Sequence, residues 1–208
     1  MDTNAVVLST SYFPPIQYFS KLVNYSKILI DIHETYSKQS YRNRCVILSS
    51  NGPLSLTVPV IRPNGNHTLT KDTRVDYSTN WQKNHWKAIE SAYRNSIYFD
   101  FVADCITPFF ERHENFLVDL NLKTVLELLN FLGISRKIDI TDSYIHQYPL
   151  IVDDFRKQIH PKSRFQRDDP SFTTKPYYQV FSSKFGFTAN LSMLDLLFNE
   201  GLSSVDYL

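Results

Sequence analysis

AVVLSTSYFPPIQYFSKLVNYSKILIDI, residues 5–32, decides the architecture of this chain. Ala5–Leu8 is a short apolar run with two valines and reads as an opening strand. Ser11-Tyr12-Phe13-Pro14-Pro15 breaks it, and Pro15 suits the first turn of a helix, where its missing N–H is not needed. Beyond it Ile16, Phe19, Leu22 and Val23 recur at helical spacing, with Tyr18 and Tyr25 near the edge of that face. Ile28–Ile32 is a compact apolar run of strand length. This alternation predicts an α/β chain, with a mixed α+β arrangement as the alternative.

Outward from that stretch, Arg44–Leu48 and Leu54–Val60 predict two strands around Ser50-Asn51-Gly52-Pro53. Asn-Gly between apolar runs is a hairpin signal because both residues tolerate positive φ. Ile61–Thr70 reads as a polar, mobile loop and Arg74–Tyr77 as a further strand. Then the period changes. Trp81, His85, Ala88, Ile89 and Ala92 share one helical face, opposite Lys83, Lys87, Glu90 and Arg94. Ser96–Phe110 continues helically with an interruption at Pro108, and Asn121–Leu132 predicts an amphipathic helix stopped by Gly133. Ile138–Tyr148 reads as strand or loop. Asp153–Pro176 is dense in charge and poor in periodic apolar residues, which predicts a long surface loop of the kind that often serves function. Ser192-Met193-Leu194-Asp195 opens a last helix as a capping box with Asp in place of Glu, and Gly201 ends it. The expectation is a single domain over 1–208, strand-rich over about 1–79, with a helical part over about 80–208 covering it.

Charge narrows the function classes. Lys+Arg number 22 against 21 Asp+Glu, for a net charge of +1, which argues against a dedicated nucleic-acid binder. With 42% hydrophobic and 14% aromatic residues the chain has ample material for a packed core. Cys45 and Cys105 form no CxxC pair, so neither a zinc ribbon nor a thioredoxin-type motif is present. The opening residues lack the basic and apolar regions of a secretory signal, and apolar runs such as Ser192–Phe198 fall short of the roughly 20 residues that span a bilayer. A reduced, cytoplasmic, non-membrane-spanning protein is expected.

One segment concentrates chemistry: HETYSKQSYRNRC, residues 33–45. If Lys38–Arg44 is extended, Lys38, Ser40, Arg42 and Arg44 share one face, and Gln39, Tyr41, Asn43 and Cys45 the other. Three cations in line suit a phosphate or carboxylate, Arg offering a bidentate fork, while the amide and phenol groups suit a sugar. The plainer reading is a solvated basic strand whose cations pair with Glu34 and Asp31. Among six histidines no HxH or HxxxH pair occurs, so a metal site is not expected. His33 follows a predicted buried strand, where ligand-contacting residues gather in α/β sheets. His85 lies on an apolar helix face, as a core residue or as a general base. Cys45 would need a lowered pKa to act as a nucleophile. GxSxG, P-loop and GxGxxG motifs are absent from the sequence.

Tyr12-Phe13-Pro14-Pro15 with Tyr18-Phe19, the KQSYRNR segment, Asn51-Gly52 and Leu56-Thr57-Val58-Pro59-Val60 together resemble the WbqC-like protein family. His85-Trp86, Ser91-Ala92-Tyr93, Gly186-Phe187, Asn190-Leu191-Ser192 and the run Asp195–Gly201 agree, so the resemblance extends over about Ser11 to Gly201. The chain departs from the family at its opening, with Thr10-Ser11 where Gln-Pro is usual. The resemblance implies a setting in bacterial O-antigen or other surface-polysaccharide biosynthesis, and carries over no catalytic residue or cofactor. Two functions compete. One is an enzyme, a transferase in class, that modifies a nucleotide- or lipid-linked sugar. Lys38, Arg42 and Arg44 would hold the phosphates, Tyr41 and Asn43 the sugar, with His33 or His85 as general base. The other is a non-catalytic binding or scaffold protein of the same pathway. The site is expected where residues 36–44 face the His85 helix and the 153–176 loop.

Overall fold

The computed structural model describes residues 4–208. In chain order the strands and helices of its first half are β1 (Ala5–Ser9), α1 (Ile16–Asn24), β2 (Lys27–Asp31), β3 (Arg44–Ser49), β4 (Gly52–Thr57), β5 (Val60–Ile61), β6 (Arg74–Val75) and α2 (Trp81–Tyr93). There follow α3 (Phe99–Ile106), α4 (Leu117–Phe131), β7 (Ile138–Ile140), β8 (Val152–Asp154), α5 (Ser182–Phe185) and α6 (Met193–Glu200). The architecture is α/β, strand-rich at the start and helical after it.

β1, β2, β7 and β8 form one sheet in the order β7-β2-β1-β8, every pairing parallel. A parallel pair needs a crossover, and α1 supplies it between β1 and β2. β1 is central and all five of its residues are buried, which is why Ala5–Leu8 reads as an unbroken apolar run. Ser9 pairs with Asp31, Val7 with Asp154 and Ile30 with Ile140, so the four carboxyl ends lie along one edge. β7 and β8 come from the part dominated by helices and complete the sheet of the first. At three residues each, they are too short to show a period.

One core runs through both parts, from Val6 and Leu8 on β1, through Phe19 and Leu22 on α1, to Leu128 on α4 and Leu197 on α6. α6 buries every residue from Met193 to Asn199 and packs against α1, α3 and β3. The turn between β1 and α1 carries Phe13 at φ 37, a conformation that a bulky side chain rarely adopts. Neighbours hold it there: Tyr12 N donates to Tyr41 O at 2.9 Å, Met193 N to Pro14 O at 2.8 Å, and Ser192 Oγ to Phe13 O at 2.8 Å. The Phe13 ring, fully buried, stacks on Phe110 at 5.9 Å.

β3 and β4 pair as expected, with Ser49 opposite Gly52, but the positive φ of the turn (101°) falls on Gly52 alone. Four expectations are corrected. Lys38–Arg44 is not extended: Gln39 has φ 56 and Tyr41–Asn43 form a 3₁₀ turn capped by the Ser40 hydroxyl, so the alternating faces do not exist. Residues 61–70 are an excursion only in part: 63–67 are exposed, but Thr68 and Thr70 are buried, Thr70 N donating to Glu34 O at 2.9 Å and Tyr36 N to Thr68 O at 2.9 Å. The α4 helix begins at Leu117, four residues before Asn121. Ser192 caps α6 by accepting from Leu194 N, but Asp195 does not reach back to it; its carboxylate turns into the core.

Candidate functional site

A cleft of about 760 Å³ opens at the carboxyl edge of the parallel sheet. His33, Glu34, Thr35 and Ser37 enter it from the chain after β2, Tyr144 from the chain after β7, and residues of 156–167 from the chain after β8. Open α/β sheets place their ligands at this edge, where successive connections diverge. Here the chain leaves β1 toward β2 while β8 lies on the opposite side of β1.

The inner wall is a network of buried ion pairs. Arg42 grips Glu34 as a fork, Nε donating to Oε1 at 2.8 Å and Nη2 lying 2.6 Å from Oε2. The same Nη2 donates to Ser9 Oγ at 2.7 Å, and Ser9 Oγ donates to Arg156 O at 3.0 Å. Arg156 donates through Nη1 to Asp31 Oδ2 at 2.6 Å and through Nε to Asp154 Oδ1 at 2.9 Å. Its guanidinium lies about 5 Å from the rings of Tyr144 (5.1 Å) and Tyr148 (5.0 Å). Asp31 Oδ1 in turn accepts from His33 N at 2.8 Å, which fixes the backbone carrying that imidazole. Each guanidinium charge is already paired, Arg42 with Glu34 and Arg156 with Asp31 and Asp154.

The outer wall differs. Lys157, Arg164 and Arg167 line the cleft, and none has a carboxylate partner among the described residues. His160 lines it too. Burial first, then the charges of Arg42, Lys162 and Arg44, hold its pKa below the ordinary histidine value, which favours the neutral ring. Its Nδ1 accepts from Lys162 N at 3.0 Å, which puts the ring proton on Nε2 and makes His160 a donor rather than a base. His33 is half-buried, and its ring has no hydrogen-bond partner among the described residues.

Of the residues singled out from the sequence, His33 and Arg42 come together in the cleft. Lys38 is exposed and is not part of the lining. Tyr41 is buried and borders only a small adjoining cavity of about 10 Å³. Asn43 donates through Nδ2 to Val58 O at 2.8 Å and so braces the β4–β5 junction. Arg44 is half-buried with its Nε unpartnered, and its charge is felt at His160. His85 stands apart from the cleft, in the core: its Nδ1 is 3.1 Å from the Tyr12 hydroxyl, and burial pushes its pKa down to about 4. The 36–44 segment therefore meets the 153–176 loop at the cleft, while His85 is not among the residues that line it. Arg156, His160 and Arg164 were marked in sequence only by the charge density of that loop, because a contact across 114 residues between Arg42 and Arg156 leaves no periodic trace.

The thiols are not activated. Burial raises the pKa of Cys45 well above the ordinary range, and burial with the Glu127 carboxylate beside it raises Cys105 to about 12. Both cysteines are free. Among the described residues no helix is long and apolar enough to cross a membrane.

Comparison with known proteins adds a setting. No solved structure matches the chain. It is 27% identical to the uncharacterized protein Rv1507c of Mycobacterium tuberculosis, over 97% of this chain and 96% of that protein. The sequence model of the WbqC-like protein family matches residues 10–155, from the turn after β1 to the residue after β8. It thus takes in β2, the Glu34–Arg42 pair and α2 to α4, and the chain belongs to the WbqC-like protein family.

Proposed function

We propose that the cleft binds a phosphate-bearing sugar and that the protein is an enzyme of bacterial surface-polysaccharide biosynthesis, of the O-antigen type, modifying or transferring a group on that sugar. One observation carries the reading: three cations, Lys157, Arg164 and Arg167, line a cleft at the carboxyl edge without carboxylate partners among the described residues. Cations held without counter-charge around a concave surface favour an anionic ligand. The family name supports the pathway. In this scheme Lys157, Arg164 and Arg167 take the phosphates, with Arg44 adding to the field. His160 donates a hydrogen bond. Arg42 is a positioning residue that holds Glu34 rather than a phosphate ligand. His33 is the imidazole left to accept a proton from a sugar hydroxyl or amine.

A second reading, a non-catalytic binding protein of the same pathway, draws on a separate observation. The thiols and His85 are buried away from the cleft, and of its two imidazoles only that of His33 has a ring without a hydrogen bond among the described residues. Thermal shift of the purified protein against nucleotide sugars, acyl-CoA, free nucleotides and pyrophosphate tests the binding claim. A ligand at about 100 times its Kd adds about 2.7 kcal/mol of stability. The shift is expected to vanish in the Arg164→Ala/Arg167→Ala double variant, and a shift that survives there removes the cleft from consideration. Turnover of a bound donor, lost in His33→Ala while binding persists, decides for the enzyme; binding without turnover decides for the second reading.

A further inference from the structure

Resting on that reading of the cleft, we infer that its ligand is a nucleoside diphosphate derivative rather than a lipid-linked sugar, with Phe165 as the platform for the base. Phe165 lines the cleft yet is 47% exposed, a large apolar surface left open at a site otherwise built of charged and polar groups. Apart from Phe165, the lining includes only one other aromatic residue, Tyr144, also half open at 41%. An alkyl chain would need a continuous apolar groove, and this wall of His33, Glu34, Arg42, Arg156 and Arg164 does not supply one. A flat heterocycle needs only a ring face, because every base has a π-face to stack.

The placement of the cations agrees. The Arg164 guanidinium carbon lies over one face of the Phe165 ring, 4.6 Å from its centroid, and the His160 ring stands nearly perpendicular to it (73°) at 4.8 Å between centroids. A base would therefore stack on the face that Arg164 leaves open, with the ring between it and that guanidinium, a separation that the diphosphate of a nucleotide can bridge. Gln166 adds a polar handle next in sequence: its Nε2 donates to His160 O at 2.9 Å, which leaves Oε1 to accept from a base N–H. The cleft, at about 760 Å³, falls within the range of sites that enclose a ligand of nucleotide-sugar size.

The test separates this inference from the one beneath it. Isothermal titration compares pyrophosphate, a nucleoside diphosphate, the free nucleoside and a polyprenyl diphosphate in detergent. Pyrophosphate binding that disappears in Arg164→Ala/Arg167→Ala reports the anion site alone. The nucleoside diphosphate is expected to bind on the order of 10-fold tighter than pyrophosphate, as stacking of one base supplies. That gain should disappear in Phe165→Ala and persist in Phe165→Tyr, with pyrophosphate affinity equal in both. Phe165 is open to solvent, so these variants should keep the fold. If the nucleoside diphosphate binds no tighter than pyrophosphate, if its advantage survives Phe165→Ala, or if the polyprenyl diphosphate binds tighter than both, the base platform is wrong while the anion site stands. If pyrophosphate and the nucleoside diphosphate both fail to bind, the two readings fall together.

Discussion

At Asp195 a carboxylate lies buried among neutral donors: the hydroxyls of Tyr93 at 2.7 Å and Tyr177 at 2.6 Å, and Gln179 Nε2 at 2.9 Å. No cation reaches it among the described residues. Burial raises its pKa above 3.8, although those three hydrogen bonds act in the opposite direction. The folded chain then holds this proton more tightly than the unfolded chain. Its contribution to stability is complete below pH 3.8 and is lost as pH rises through the folded pKa. Asp195→Asn, which keeps an acceptor and gives up the charge, should therefore flatten the pH profile: urea unfolding at pH 4 and pH 7 is expected to show wild type losing stability over that interval relative to the variant. His85 has the opposite sign. Its folded pKa, about 4, lies below the ordinary 6.5, so its neutral form contributes above pH 6.5 and the contribution is lost as pH falls through about 4. The full difference amounts to about 3 kcal/mol. His85→Gln should remove that acid-limb loss in the same unfolding series, and an unchanged acid limb would mean that His85 titrates normally.

At the scale of elements, two devices tie segments to the frame. The segment from Arg156 to Asp169, which supplies the outer wall of the cleft, is pinned at both ends. Arg156 is held by Asp31, and Asp169 by Lys21 at 2.6 Å and Gln17 Nε2 at 2.8 Å. Lys21 is 1% exposed and lies over the Phe155 ring at 4.6 Å. Lys21→Met leaves Asp169 without its cation, so the strap should open from that end. Trypsin is expected to cut after Lys157, Lys162, Arg164 and Arg167 several times faster than in wild type, well below the melting temperature, with fragments mapped by mass spectrometry. Equal rates would show that the strap does not depend on this pin. Gly201, at the end of α6, has φ 56, and a Cβ there would come within 2.6 Å of the Tyr98 ring. Backbone strain and overpacking together should cost Gly201→Ala about 2–4 kcal/mol, read from the shift in urea midpoint. The sequence marks Gly201 as a helix stop, yet the Tyr98 contact, a hundred residues distant, leaves no local sign. The capping box at Ser192–Asp195 is instructive in the same way. Spacing identifies the cap correctly and misreads the acid, because tertiary donors on Tyr93, Tyr177 and Gln179 outbid a local backbone N–H.

For the whole molecule, the legible part of the fold was the part with local period: β1, α1, β2, the β3–β4 hairpin and the amphipathic faces of α2 and α4. β7 falls in the stretch read as strand or loop, while β8 overlaps the start of the predicted 153–176 loop; at three residues each they have no room for a period, so their place in the parallel sheet could not be read in advance. The same limit governed the site. His33, singled out for its place after a buried strand, does line the cleft, whereas the fork of Arg42 on Glu34 turned the most conspicuous cation of the KQSYRNR segment into an internal brace. The free cations lie instead in a stretch whose one visible sign was charge without periodicity. That distribution makes a prediction about the molecule as a charged body. Net charge is only +1, so long-range attraction for an anion is weak, and on the proposed reading binding would come from the local cluster of Lys157, Arg164 and Arg167. Partly exposed cations of this kind are screened as the Debye length shrinks from about 10 Å at 0.1 M to about 3 Å at 1 M salt. Pyrophosphate affinity should accordingly fall on the order of 10-fold between those concentrations, by titration calorimetry in a non-coordinating salt. The saturated pairs of the inner wall should leave stability nearly level over the same range, since buried charges are screened far less. Affinity that ignored salt would mean that the anion reaches the inner wall and displaces a carboxylate from Arg42 or Arg156, and Glu34→Gln would then tighten binding.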